Sequence, residues 1–137
     1  MRYLMLVSAT KEYEAGQQPD AKLVAAMGNL IGDLVKSGKL IDTAGLLPSS
    51  QGTRIRVANG KVSVTDGPFA ETKELIGGYA MFNLSSSEEA LKLGRDFMQL
   101  HVDCLGSSYE GQLEIRPIAD PPPNFKGCFQ EENNHAN

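Results

Sequence analysis

The chain has 137 residues, with 13 basic and 17 acidic side chains and a formal net charge of −4. This length suits one domain with a short tail, and a composition of 41% hydrophobic and 22% charged residues excludes a wholly disordered chain. The mild negative charge argues against binding nucleic acid by phosphate neutralisation, and two cysteines are too few for a secreted disulfide scaffold.

The N-terminal apolar run is too short for a secretion signal or a membrane span. It stops at Ser8, whereas a signal peptide needs about 7–15 apolar residues and a spanning helix about 20. We therefore predict a cytoplasmic protein in which Cys104 and Cys128 are free thiols. Zinc ligands usually come in closely spaced pairs, and only His101 and Cys104 are close, so we predict no metal and no cofactor.

The first part of the chain predicts a strand, a loop and a helix. Residues 2–7 place apolar side chains on both faces of a strand, which is typical of a central position in a sheet. Residues 8–19 are polar and predict a loop. Apolar side chains then recur at helical spacing over residues 23–35, between a start signal at Asp20 and a stop signal at Gly38. We expect this helical stripe to belong to the core.

A β-hairpin is the strongest local signal, after a short extended segment at residues 40–47. Asn59-Gly60 separates two alternating runs, residues 53–58 and 61–65, and favours a type I′ turn. The predicted cross-strand pairs are Ala58 with Lys61, Val57 with Val62, Arg56 with Ser63, Ile55 with Val64, and Arg54 with Thr65. This register puts all four aliphatic side chains on one face and both arginines on the other.

The remainder predicts a loop, a strand, a helix and a final strand. Gly77-Gly78 within the strand at residues 76–84 suggests a β-bulge or a close backbone approach. Ser86 and Glu89 form a capping-box pattern at the start of the helix. The last strand covers residues 112–118. We place the domain boundary there, with a domain at 1–118 and a polar tail at 119–137.

This order of elements is the β-α-β-β-α-β plan of the ferredoxin-like fold, with a hairpin inserted. Both helices are expected to cover one face of a mostly antiparallel sheet. The other face is too apolar to remain in water, so we expect a second copy of the chain to cover it and predict a homodimer.

Several segments resemble the DGPF-domain proteins of the YCII-related group. The longest runs from Val64 to Tyr79 and reads VTDGPFAETKELIGGY. The others are GLLP at 45–48, FMQLH at 97–101 and GQLEIRP at 111–117. The similarity covers residues 1–118, and a match of this length is far more specific than a lone glycine motif.

The resemblance implies a ferredoxin-like protomer in a dimeric α/β barrel. Members of the group are mostly of unknown function, and some are encoded near, or fused to, extracytoplasmic-function sigma factors. YCII relatives include a dehalogenase of chlorinated muconolactones and proteins with a His-Asp catalytic pair. The histidine of that pair lies in the N-terminal part of the domain, whereas this chain has no histidine before His101. The pair therefore does not transfer to this sequence.

Asp66 and His101 are the two residues of the matching motifs best suited to proton transfer. Asp66 either bonds its own downstream backbone and fixes a turn, or acts as a pocket carboxylate paired with Arg54 or Arg56. His101 either lies at a helix end or core edge, or acts as a catalytic acid–base residue, because histidine changes charge nearest to neutral pH.

The remaining candidates are charged or aromatic side chains. Glu71 and Lys73 either belong to a solvated loop or rim a pocket that recognises a small anionic or polar ligand. Arg116, if it faces the interior of a dimeric barrel, needs an anion or a carboxylate partner. Tyr79 packs on a sheet face or contributes to the site. The predicted ligand-binding set is Arg54, Arg56, Glu71, Lys73, Tyr79 and Arg116.

These observations lead to two functional hypotheses. The first is a dimeric small-molecule-binding or regulatory protein, with a sigma-factor-linked protein as a partner, and with neither nucleic acid nor membrane as one. The alternative is an enzyme that uses acid–base chemistry, of lyase, isomerase or dehalogenase type, on a small organic substrate. Its pocket is expected between the sheet and residues 66–74.

Overall fold

The computed structural model describes residues 1–71 and 74–125. The elements of these residues are, in order, β1 (Arg2–Ser8), α1 (Lys11–Glu14), α2 (Ala21–Lys36), β2 (Leu40–Gly45), β3 (Thr53–Ala58), β4 (Lys61–Asp66), β5 (Ile76–Asn83), α3 (Ser87–Leu105) and β6 (Leu113–Pro117). A 3₁₀ turn at Ser49–Gln51 precedes β3.

The main sheet has the strand order β2-β5-β1-β6, and every neighbouring pair is antiparallel. This is the order that a β-α-β-β-α-β chain gives once the β3–β4 hairpin is set aside, so the predicted ferredoxin-like α+β fold is confirmed. The first strand, β1, lies between β5 and β6, as its two apolar faces predicted.

The core lies between the sheet and the helices. Tyr3 and Met5 of β1 are buried together with Phe82 and Leu84, and Ala90 of α3 packs on them. Because side chains alternate along a strand, Leu4 and its neighbours in register project from the opposite face of the sheet. We call that opposite side the open sheet face; the described residues place no helix on it.

The helix α2 begins and ends where the sequence predicted, but the expectation that its whole apolar stripe is core is wrong. Asp20 caps it by accepting hydrogen bonds from the backbone of Lys22 and Leu23, at 2.8 and 3.3 Å. Leu23 is its one buried residue, whereas Val24 and Val35 are 49% and 59% exposed. Met27, Leu30, Ile31 and Leu34 are only partly buried, and of these Leu34 packs against the core cluster.

The prediction of a loop at residues 8–19 is also wrong in part, because α1 forms inside it. Thr10 accepts a hydrogen bond from the backbone of Tyr13 at 3.1 Å, which is an N-cap arrangement. The hydroxyl of Tyr13 donates to the carbonyl of Leu46. This tertiary contact holds a helix of one turn that would be unstable alone.

The hairpin register is confirmed. Val57 pairs with Val62 and Ile55 with Val64, as predicted. Asn59 and Gly60 have φ angles of 52° and 74°, the positive values that a type I′ turn requires. The hairpin forms its own two-stranded sheet, separate from the main sheet.

The glycine pair in β5 produces both predicted features. Val7 pairs with Gly78 and Ser8 with Ile76, so Gly77 is the extra residue of a β-bulge. A Cβ at Gly77 would lie 3.2 Å from the Cα of Ala9, which shows a close approach by the chain itself. The bulge thus places residues 8 and 9 in contact with the start of β5.

The predicted capping box of α3 forms in part. Ser86 accepts from the backbone of Glu89 at 3.1 Å, but the Glu89 carboxylate accepts from the backbone of Ser85, not of Ser86. At the other end of the domain, Ile118 donates to the carbonyl of Arg2 at 2.9 Å. The proposed boundary after residue 118 stays a prediction, and residues 126–137, with Cys128, lie outside the described residues.

Candidate functional site

A cavity of about 1230 Å³ lies between the sheet and the helices α2 and α3. Its lining is mainly apolar. The sheet contributes Met5, Ala80, Phe82 and Leu113, α2 contributes Leu23, Met27, Leu30, Ile31 and Leu34, and α3 contributes Leu93 and Phe97. Typical small-molecule sites enclose about 300–1,000 Å³, so this space is large enough for an organic ligand.

Most of the apolar stripe of α2 lines this cavity. Met27, Leu30, Ile31 and Leu34 are partly buried and are all lining residues, and Leu34 also packs against the core cluster. Since well-packed interiors hold few voids larger than a water molecule, a space of this size beside an apolar stripe marks a candidate binding site.

The lining also includes polar residues. Lys11, Glu12 and Tyr13 of α1 belong to it, as do Tyr109 and Glu110 of the segment after α3. A mainly apolar lining with these polar residues favours a ligand with an apolar body and a polar end.

His101 is the buried polar residue of this cavity. It projects from α3, is 6% exposed, and its Nδ1 lies 3.0 Å from the carbonyl oxygen of Phe97. Because a carbonyl only accepts, Nδ1 must carry the hydrogen, and the Nε2 of the neutral ring is then an acceptor. Among residues 1–71 and 74–125, no hydrogen-bond partner faces Nε2.

Two aromatic rings hold the imidazole of His101. The Phe97 ring lies edge-on with its centroid 5.0 Å away, and the Tyr109 ring lies at 5.1 Å with an interplanar angle of 30°. Burial raises the pKa of the Tyr109 phenol, since removal from water disfavours the phenolate. Tyr109 therefore stays protonated and able to donate at neutral pH.

A second cluster holds the turn after β4. The carboxylate of Glu14 accepts from the backbone of Ser49 at 2.9 Å and from its hydroxyl, and the Ser49 hydroxyl accepts from the backbone of Phe69 at 3.1 Å. Gly67 donates to the carbonyl of Gly52 at 2.9 Å. These bonds join α1, the 3₁₀ turn and the DGPF segment, with the cis Gly67-Pro68 bond among them.

Asp66 and His101 are not brought together. Asp66 ends β4, pairs with Thr53 across the hairpin, and accepts from the Thr53 hydroxyl at 3.3 Å. His101 lies in the cavity with Phe97 and Tyr109. No hydrogen bond or ion pair joins the two residues anywhere in the described chain.

Arg54 and Glu71 do meet. They form an exposed ion pair at 3.2 Å, and the guanidinium of Arg54 lies 3.9 Å above the ring centroid of Phe69. The hydrogen bond from Arg54 holds the pKa of the Glu71 carboxyl below its usual range. Arg56 is exposed on the same face of the hairpin, and Lys73 lies outside the described residues.

Tyr79 and Arg116 project from the open sheet face. The Tyr79 hydroxyl donates to Asp42 at 2.8 Å, which raises the pKa of the phenol, and Arg116 pairs with Glu114 at 3.0 Å. Tyr79 also reaches the edge of the cavity, whereas Arg116 is not among its lining residues. The candidate residues from the sequence thus divide between the cavity, the hairpin base and the open face.

The sequence predicts a pocket between the sheet and residues 66–74, but the cavity lies elsewhere. None of the described residues of that loop lines it, while His101 and Tyr79 do. Tyr109 and α1 were missed. The Thr10 cap of α1 was readable in the sequence, but no local pattern signals that Tyr109 stacks on His101.

The described residues offer no centre for a metal. They contain no group of three or more His, Cys, Asp or Glu side chains that could hold an ion. Cys104 is a free thiol on α3. In the same part of the chain, none of the helices has the length and apolar character needed to cross a bilayer.

The fold and the cavity define a ferredoxin-like α+β protein with an apolar space beneath its helices. The chain belongs to the YCII-related domain family, whose model matches residues 1–98. A relative, the uncharacterized protein R00369 of Rhizobium meliloti (strain 1021), is 31% identical over 103 residues, which are 75% of this chain and 78% of the relative. His101 lies just beyond the residues that the family model matches.

Proposed function

We propose that the protein binds a small organic molecule in the cavity between the sheet and the helices. The observation that carries this proposal is the buried imidazole of His101, whose Nε2 has no partner in the described chain while it lines an apolar space of about 1230 Å³. No side-chain nitrogen or oxygen of the described residues is buried without a partner, so Nε2 is accessible from the cavity, where a bound donor can take the place of water on it.

The lining indicates the chemistry of the ligand. Aliphatic and aromatic side chains of α2, α3 and the sheet accommodate an apolar body, and Nε2 of His101 accepts one hydrogen bond from it. A planar or bicyclic molecule with a hydroxyl group meets both requirements. Two charged lining residues, Lys11 and Glu12, remain available for a polar substituent.

Isothermal titration calorimetry with two probes tests this proposal. The probes are 2-naphthol, which donates a hydrogen bond, and 2-methoxynaphthalene, which does not. We expect wild type to prefer 2-naphthol by about 3- to 10-fold, the value of one hydrogen bond. The variant His101→Phe keeps an aromatic ring between Phe97 and Tyr109 and is expected to lose the preference.

The matched control is Val24→Ala, which alters an exposed residue of α2 that is not among the lining residues. It should bind both probes as wild type does. Equal affinities of wild type for the two probes, or a preference that survives in His101→Phe, would contradict a role for Nε2. Failure of both probes to bind at all would count against the cavity as the site.

The second candidate is an enzyme, and the same imidazole favours it. A neutral Nε2 in a space of low exposure can remove a proton from a bound carbon acid and return it. The sequence also named Asp66 as a candidate for proton transfer, but Asp66 ends β4 and bonds to Thr53, so His101 acts without it in this scheme.

Proton transfer can be tested without the natural substrate. 2-Tetralone is an apolar bicyclic ketone with exchangeable hydrogens beside its carbonyl, and NMR in D₂O follows their exchange. Catalysed exchange in wild type that disappears in His101→Phe would support the enzyme. Exchange at the uncatalysed rate in a protein that binds 2-tetralone favours the binding function instead.

We further propose that a second copy covers the open sheet face. Its centre is formed by Leu4, Leu6 and Met81, which are only partly buried. The pairs Tyr79–Asp42 and Arg116–Glu114 lie around it, and an apolar centre with a polar rim is typical of interfaces. Sedimentation equilibrium of the 14.8 kDa chain tests the dimer. A sigma-factor-linked partner, the absence of nucleic acid and a cytoplasmic location stay predictions from the sequence.

A further inference from the structure

The cavity is lined by three tyrosines, whose hydroxyl groups differ in what they bind. Tyr13 donates to the carbonyl of Leu46, and Tyr79 donates to Asp42 at 2.8 Å. Within residues 1–71 and 74–125, the hydroxyl of Tyr109 has no hydrogen-bond partner. No side-chain oxygen of these residues is buried without a partner, so the Tyr109 hydroxyl is open to water or to a ligand.

Gly111 leaves the space in which the Tyr109 hydroxyl lies. A Cβ on Gly111 would stand 2.2 Å from the hydroxyl oxygen of Tyr109 and 2.7 Å from its Cζ. Gly111 is itself a lining residue of the cavity, so the hydroxyl lies at the cavity wall. Any side chain at position 111 would force this hydroxyl to move.

Tyr109 and His101 offer a ligand two polar atoms of opposite kind. Their rings lie side by side, with centroids 5.1 Å apart and an angle of 30° between the planes, so one bicyclic molecule can reach both polar atoms. Nε2 of His101 accepts a hydrogen bond, whereas the Tyr109 phenol donates one. Burial raises the pKa of this phenol, which keeps it a donor at neutral pH.

We propose that the Tyr109 hydroxyl donates a hydrogen bond to a carbonyl oxygen of the ligand, which makes Tyr109 a specificity-determining residue of the cavity. The inference rests on the proposed binding function and names its ligand class, an apolar molecule with a carbonyl group in addition to the hydroxyl that His101 binds. A carbonyl that enters a mainly apolar space gives up its hydrogen bonds to water, and Tyr109 supplies the donor that replaces them.

The test uses two probes of one skeleton, 1-tetralone with a carbonyl and tetralin without one, in isothermal titration calorimetry. We expect the affinity ratio of 1-tetralone to tetralin to fall by about 3- to 10-fold in Tyr109→Phe, the value of one hydrogen bond. This variant keeps the ring beside His101. The matched control is Tyr13→Phe, which removes a hydroxyl that already donates to Leu46 and should leave the ratio at the wild-type value.

Gly111→Ala provides a second variant, because it displaces the Tyr109 hydroxyl without removing it. We expect the same fall in the affinity ratio, and this variant carries the test if circular dichroism shows Tyr109→Phe to be unfolded. Infrared difference spectra of ¹³C-labelled 1-tetralone report the bond directly. The carbonyl stretch of the bound probe should lie at lower frequency in wild type than in Tyr109→Phe, since a hydrogen bond weakens the C=O bond.

The naphthol probes separate this inference from the proposed function. Their preference depends on His101 and should persist in Tyr109→Phe. If it persists while the tetralone ratio and the carbonyl frequency equal those of wild type, the role of Tyr109 is overturned and the binding function stands. If wild type binds neither 1-tetralone nor 2-naphthol, both are overturned.

Discussion

Gly67 lies directly against the backbone of Ser49. A Cβ placed on Gly67 would stand 1.7 Å from the Ser49 carbonyl oxygen and 2.7 Å from its carbonyl carbon. Both atoms are backbone, so a side chain here cannot be accommodated by a rotamer change. The glycine of the DGPF segment is therefore required by the 3₁₀ turn that precedes β3.

The variant Gly67→Ala should accordingly be destabilised. We expect its free energy of unfolding to fall by about 1–3 kcal/mol, because the two segments must separate to admit the methyl group. Urea denaturation measures the change. The control is Gly28→Ala in α2, where a Cβ meets no atom within 4 Å; there the helix should gain about 0.5–1 kcal/mol.

Ser49→Ala tests the cluster that joins α1 to the DGPF segment. It removes the hydroxyl that donates to Glu14 and accepts from the backbone of Phe69. We expect a loss of about 1–3 kcal/mol in urea denaturation, since a partly buried N–H is left without its partner. Ser50→Ala, at the exposed neighbouring position, should be nearly neutral. Equal effects of the two variants would count against the cluster.

The ion pair of Glu71 with Arg54 predicts how the pKa of the Glu71 carboxyl changes when Arg54 is replaced. The hydrogen bond and positive charge of Arg54 lower the pKa of Glu71, so the deprotonated carboxyl is favoured in the folded state. Its contribution to stability is present above the ordinary glutamate pKa and is lost as pH falls through the lowered value. NMR titration should show the Glu71 carboxyl returning towards its ordinary pKa in Arg54→Gln. An unchanged midpoint in that variant would show that the ion pair is not maintained in solution.

The hydrogen bond of Tyr79 predicts the opposite pH dependence of stability, a loss as pH rises in the alkaline range. Its hydrogen bond to Asp42 raises the pKa of the phenol, so the contribution is present below the ordinary tyrosine pKa and is lost as pH rises through the raised value. Asp42→Asn should lower the pKa that ultraviolet absorbance reports for the Tyr79 phenolate. Tyr79→Phe identifies the Tyr79 signal by removing it. If that signal has the same midpoint in wild type and in Asp42→Asn, Asp42 does not act on this phenol.

The positions that the sequence predicted well are those governed by local backbone preferences. The type I′ turn at Asn59-Gly60 sets the register of the hairpin, and Asp20 with Gly38 sets the ends of α2. The sequence also predicted the bulge at Gly77, since glycine inside a strand often marks one. In each case the determining interaction lies within a few residues.

The candidate site depended on contacts that are distant in the sequence. The stripe of α2 predicted a packed core, but Met27, Leu30 and Ile31 are only partly buried and line a cavity. Hydrophobic spacing gives the direction of a face and not its distance from the next layer. Asp66 and Arg54 are likewise not partners, because the register pairs Asp66 with Thr53 and so puts the two side chains on opposite faces of the hairpin, where Arg54 bonds to Glu71 instead.

The sequence by itself determined the order of the strands and of the two long helices, the hairpin register and the ferredoxin-like plan, because turn residues, caps and hydrophobic periodicity act locally. Only the tertiary structure decided where the polar candidates lie. It places His101 between Phe97 and Tyr109 at the cavity and Asp66 at the base of the β3–β4 hairpin, because the hairpin folds as a separate sheet while α3 packs on the main one. Packing between layers is a sum of long-range contacts, which no local pattern encodes.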